Sequence, residues 1–254
     1  MPSPDSPDRE TLIGLGDIND HEVFSEFAYC ADVDETSLKI LSSNLAIEQP
    51  AAETQVTFVS DSVEDDLTKT GLEQLKMTYF NDTWVLKEEI IELNGTGAKD
   101  SVATDVYRIQ EIDAIQRGSA GGAVGTITCK KKGAANLYAE IKPGRSIFER
   151  LLHYVPPGMI AVITDIFISA TKTTGTKFVL IVTQDFTDDG GEKLSLGLAH
   201  ALAAYGTGSV WMPNLPYVVD ATGWTRGRTI AIAVQGIAAD QDASASIRFY
   251  QYTP

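Results

Sequence analysis

Near the end of the chain Ala243, Ala245, Ile247 and Phe249 fall on one side of an extended backbone, and Ser244, Ser246, Arg248 and Tyr250 on the other. That period-two alternation predicts a strand with one buried face. "RTIAIAVQ" repeats it, with Ile230, Ile232 and Val234 on one face and Thr229, Ala231 and Ala233 opposite. "KFVLIVT" is apolar on both faces, as a strand covered on both sides would be. From Thr54 onward, short runs rich in Val, Ile, Thr, Tyr and Phe ("QVTFVS", "LEQLKMTYF", "VYRIQEIDAI", "VGTITCKKK", "NLYAEI") alternate with Gly, Asn, Asp and Ser clusters. Frequent turn signals between short strands predict an all-β chain of sandwiches or barrels. A second series of strands begins after "IKPGRS", so the pattern divides near residues 142–149.

Two stretches resist a reading by pattern alone. "EEIIELNGTG" has helical propensity, and Leu86, Ile90 and Leu93 fit a helical stripe. It lies between strand-like runs, however, and ends at Asn94-Gly95, which supplies the positive φ of a tight turn. The context favours a strand and a hairpin turn. "GEKLSLGLAHALAAYG" places Leu194, Leu198 and Leu202 four residues apart and is the strongest helical candidate, with strand–loop–strand as the alternative.

Charge separates the first part of the chain from the rest. The net formal charge is −15. Residues 1–66 hold sixteen acidic residues against two basic ones, Arg9 and Lys39, while the remaining residues are nearly balanced. Such a distribution opposes direct nucleic-acid binding, because nothing offsets phosphate repulsion. It fits an acidic arm that docks on a basic surface or keeps an assembly soluble. Residues 1–53 carry only small apolar groups, among them Val23, Phe24, Phe27 and Tyr29, too few in one place for a core of their own. They predict an extended arm that packs on something larger, with those four residues as the partner-binding candidates. No apolar run approaches the ~18 residues of a membrane span. The N-terminus, "MPSPDSPDRE", lacks the basic and apolar regions of a signal peptide. No secretory route is expected, and Asn94-Gly95-Thr96 is read as a turn in preference to a glycosylation site.

Candidate chemistry is sparse. "RGSAGGAVGTITCKKKG" is rich in glycine but contains neither phosphate-loop fingerprint, so a mobile loop beside a basic edge strand is expected there. His21, His153 and His200 form no metal motif, and no cofactor is expected. Cys30 and Cys129 show no paired spacing and are expected to be reduced and buried. "DIND" and "DVDE" offer oxygen ligands without the glycine and distal glutamate of a calcium loop. No local pattern selects a catalytic pair of carboxylates. Trp211 and Trp224 flank a loop-like region holding Tyr217, and if exposed these three rings would stack on a sugar or a partner surface. If buried, they would fill a core.

The order of turns and strands resembles that of virion structural proteins of tailed phages, especially marine ones. The resemblance rests on Leu93 to Thr96, on Gly118, Ser119, Gly125, Ile127 and Thr128, and on Ile141, Gly144, Tyr154, Val155, Pro156 and Gly158. It covers roughly residues 54–170 by motif and the rest by texture, and "KEEII" departs from the Thr/Val-rich strand of the pattern. The resemblance implies two tandem β-sandwich domains, residues 54–145 and a jelly-roll-like 146–254, behind the acidic arm of residues 1–53. It also implies a non-enzymatic capsid decoration protein or head spike that contacts the major capsid protein or another virion component, assembled by analogy as a homotrimer. It carries over no catalytic residue. The rival expectation is a fibre or tail-tip module that binds host-surface glycan through Trp211, Tyr217 and Trp224.

Overall fold

The structure, a computed structural model, describes residues 21–31, 33, 38–171, 176–183, 198–204, 208–212, 217–223, 227–236 and 242–254. The described residues are all-β, with seventeen strands in four small antiparallel sheets and no helix among them. Sheet I runs β1 (His21–Cys30), β17 (Ala243–Tyr252), β11 (Ile160–Ala170) and β14 (Gly208–Met212), with β15 (Tyr217–Asp220) also paired to β11. Sheet II runs β10 (Leu152–Val155), β16 (Arg228–Gly236), β12 (Thr176–Thr183) and β13 (Leu198–Ala204), with β2 (Lys39–Ile40) against β16. Sheet III runs β6 (Lys99–Asp100), β3 (Val56–Ser60), β8 (Ile127–Lys131) and β9 (Leu137–Ile141), and sheet IV runs β5 (Leu86–Glu92), β4 (Leu72–Phe80) and β7 (Arg108–Arg117).

Alternation along each strand decides what is buried. Ala243, Ala245, Ile247 and Phe249 of β17 join Phe178, Leu180 and Val182 of β12 and Ile230, Ile232 and Val234 of β16 in one core between sheets I and II. A second core lies between sheets III and IV, where Phe58, Ile127 and Cys129 meet Leu75, Met77, Ile109 and Ile112. Each fully buried aliphatic or aromatic side chain contributes about 1.5–3 kcal/mol. A third, smaller cluster joins the two halves. Phe80, at the end of β4, and Trp84, in the β4–β5 turn, pack on Leu152, Tyr154, Val179 and Ile181 of sheet II.

The described residues of the N-terminal arm pack on the chain's own sheets. All ten residues of β1 pair with β17, and Ala28, Cys30 and Val33 enter the first core. Residues 38–50 then thread between the halves. Leu41 N–H donates to Ile232 O at 2.9 Å, Ser43 N–H to Glu149 O at 3.1 Å and Glu48 N–H to Leu137 O at 2.8 Å. The wholly buried Arg108 guanidinium donates to the carbonyl of Pro50 and, at 2.9 Å, to that of Tyr107.

Three expectations change. "KEEII" is a strand, but its hairpin partner is β4, through the turn at Asn81 to Trp84. The Asn94-Gly95 turn instead sends the chain from sheet IV to sheet III, with Gly97 N–H donating to Asn94 O at 2.8 Å. Leu198 and Leu202 lie on β13, not on a helix, because seven consecutive residues pair with β12; Leu194 lies outside the described residues. Finally, β8 is flanked by β3 and β9, so the lysines at its end do not mark a sheet edge.

Candidate contact surface

The inward residues of sheet I fix where its other residues point. Because Ala28, Cys30, Ala245, Ile247, Ile166 and Ile168 face the core, their sequence neighbours face away from it. Cross-strand register sets these outward residues in rows. Phe27 stands beside Ser246, Ser246 beside Phe167, and Phe167 beside Trp211. One row along, Ser25 stands beside Arg248, and Arg248 beside Asp165. In the next, Val23 adjoins Tyr250, then Val162 and Val218. The last row brings His21 and Tyr252 to Ile160 and Asp220, with the His21 and Tyr252 rings stacked at 4.6 Å. A bulge at Thr164 keeps β11 in phase on both sides of the charged row.

Large apolar side chains remain open to solvent on this face: Val23 at 40%, Phe27 at 43%, Val218 at 55% and Trp211 at 66% exposure. Scattered exposed hydrophobics are ordinary, but four on one face of a single sheet make that face a candidate contact surface. Composition agrees. The face carries Phe27, Tyr250, Tyr252 and Trp211, of the aromatic type enriched at interface cores, and Arg248, Asp165 and Asp220 as its charges; its serines are not part of that signature.

The arm candidates thus divide by parity. Val23, Phe27 and Tyr29 point outward, whereas Phe24 points inward, stacked on Phe249 at 5.1 Å and 4.7 Å from the His153 ring. The proposed sugar platform is not brought together. Trp211 faces out; Tyr217, one position out of phase, packs against the core between sheets I and II; Trp224 lies outside the described residues.

The glycine-rich stretch proves to be structural. The fully buried carboxylate of Asp65 accepts the backbone N–H of Leu72 at 3.0 Å, of Val124 at 2.9 Å and of Gly125 at 2.8 Å, and the Ser60 hydroxyl at 2.6 Å. Amides that resembled an anion loop therefore converge on the chain's own anion. The loop is bound to the 61–71 segment, not left mobile. Sequence reasoning missed Asp65. Its signal was the set of glycines opposite an acid-rich loop: a Cβ on Gly71 would stand 2.1 Å from the Asp65 carboxylate.

The other candidates do not converge either. Cys30 and Cys129 form no disulfide and are buried in different cores, and burial pushes the Cys129 thiol far up. His153 is buried at the joint between the halves. Tyr154 N–H donates to Gln110 Oε1 at 3.0 Å, which turns the Gln110 amide N–H toward His153 Nδ1, and His153 Nε2 lies 3.2 Å from Gln251 Oε1. His153 is thereby a linker between sheets. Among the described residues, no group of three or more His, Cys, Asp or Glu is placed to hold a metal ion. "DIND" lies outside them, as does "DVDE" apart from Val33.

No family model matches the chain, and no curated protein matches it. Among solved structures, it is similar to one of the infectious bursal disease virus Gx strain, at 7% identity and a TM-score of 0.26, covering 92% of this chain and 72% of that one. It is also similar to the VP2 subviral particle of infectious bursal disease virus, at 9% identity and a TM-score of 0.26, covering 91% and 72%. Likenesses at this level carry no argument about function.

Proposed function

We propose that this chain is a non-enzymatic virion structural protein, a capsid decoration protein or head spike. In this reading the two sheet pairs are tandem sandwiches, the second jelly-roll-like, carried on the particle as one of many copies. The observation that carries it is the outer face of sheet I, a surface bearing exposed Phe27 and Trp211 beside Val23 and Val218, suited to assembly rather than to enclosing a substrate. The resemblance over residues 54–170 supplies the virion setting. The acidic residues leading to β1 are the anchor, drawn to a basic patch on the major capsid protein or another virion component.

The test is protein mass spectrometry and antibody labelling of purified particles from the source of the gene. The reading requires the chain in the particle at a copy number matching a repeated site. Its absence from particles would overturn it. A glycan-binding fibre tip is a second reading, favoured only by the exposure of Trp211. Binding of host polysaccharide that is abolished by Trp211→Ala would support it.

A further inference from the structure

The outer face of sheet I is complementary to itself. Its columns are β1, β17, β11 and the β14–β15 pair, so the line between β17 and β11 divides it in half. A second copy turned over about a two-fold axis along that line exchanges β1 with β14–β15 and β17 with β11, and lays each row upon itself with its ends swapped. Phe27 then meets Trp211 of the second copy, and Val23 meets Val218. In the charged row Arg248 meets Asp165, and in the end row His21 meets Asp220. Arg248 and Asp165 are each matched by their opposite, and Asp220 faces the His21 imidazole.

The other two-fold axis in the plane of the face, across the strands at the charged row, fails this test. It sets Arg248 on Arg248 and Asp165 on Asp165. Charge is compatible with contact through this face. At −15 overall, two copies repel, whereas here the one arginine and the neighbouring aspartate balance within a row. We propose that a second copy of this chain packs face to face on the outer surface of sheet I, about the axis parallel to β11 and β17. This rests on reading the face as a contact surface and names its occupant. Aligned sheets pack about 10 Å apart, close enough for the apolar rows to interdigitate and the charged rows to pair. The contact is isologous, and so makes a dimer in place of the trimer that the resemblance implies.

The experiment is sedimentation velocity and light scattering on the full chain, the two charge variants, and their mixture. Wild type should run at twice the monomer mass. Arg248→Asp leaves only acids in the charged row and Asp165→Arg only bases, so each alone should weaken dimerisation at least about tenfold. Mixed together they should form a heterodimer, since each supplies the charge the other lacks. A purely intrachain role for the pair predicts no such rescue. Phe27→Ser with Trp211→Ser, both exposed and outside the core, should give a folded monomer by circular dichroism. A monomeric or trimeric wild type, or a dimer indifferent to these variants, overturns the proposal. A dimer whose chain is missing from particles would leave this interface standing and remove the virion role alone.

Discussion

The backbone N–H of Gly125 donates to the carboxylate of Asp65 at 2.8 Å across sixty residues of sequence. With Val124 and Leu72 it makes one side chain the hydrogen-bond partner of three backbone amides, two from one loop and one from the start of β4. Asp65→Ala leaves those buried donors without an acceptor. Losses of this kind amount to about 3–5 kcal/mol, or a fall in Tm of roughly 10 °C for a chain of this size. Asp65→Asn, which keeps one oxygen but turns an N–H toward the donors, should fall between. Thermal unfolding followed by circular dichroism measures both.

Glycines of one stretch should respond unequally. A Cβ on Gly118 would lie 2.1 Å from the carbonyl oxygen of Lys69 and 2.6 Å from the Thr70 carbonyl carbon, and backbone cannot swing aside. Gly121 has φ +73° but nothing within 4 Å. Gly121→Ala therefore costs only the left-handed conformation, about 1–2 kcal/mol, and Gly118→Ala costs more. Denaturant midpoints of the two variants, compared with wild type, check the order.

Lys87 donates to the Asp105 carboxylate, and the Tyr79 hydroxyl reaches it at 3.2 Å. The Lys87 hydrogen bond, ahead of that from Tyr79, holds the Asp105 carboxyl below its usual range. A depressed folded value means that its stabilisation is complete above the unfolded value, near 3.9, and is lost as pH falls through the folded one. Half-exposed pairs of this type contribute about 1 kcal/mol or less. Asp105→Asn should lower stability at pH 7 by that amount and leave it unchanged near pH 2. Urea titrations at the two pH values test the sign.

Trp84 joins the two halves while holding φ at 61°, an uncommon value for a bulky residue. Its ring lies 5.6 Å from Phe80, 6.0 Å from Tyr154 and 6.4 Å from Tyr107. Trp84→Ala relieves little of the strain and removes the ring, at about 3–5 kcal/mol. Because the loss falls on the joint, the calorimetric trace should divide into two transitions in the variant and not in wild type.

Legibility followed the range of the interactions. The two faces of β17 could be read directly, since a pure alternation reports its own burial. β5 was ambiguous because Leu86 and Ile90 are exposed, so its apolar residues give no true inward pattern. β13 is made of strong helix formers and becomes a strand only by pairing with β12, a non-local gain that propensity does not register. The same holds for β1: Val23 and Phe27 acquire meaning only beside Tyr250 and Ser246, more than two hundred residues away. Trp211 and Tyr217 looked equivalent, yet register against β11 puts them on opposite faces of one sheet. Asp65 was hidden because its donors belong to the start of β4 and to a loop some sixty residues further along the chain.

Cryo-electron microscopy of purified particles tests the central claim, a virion protein that assembles through the outer face of sheet I. The account predicts density for this chain at repeated sites, with Phe27 and Trp211 covered by protein. Particles without the chain, or chains whose sheet I face lies bare to solvent, would contradict it.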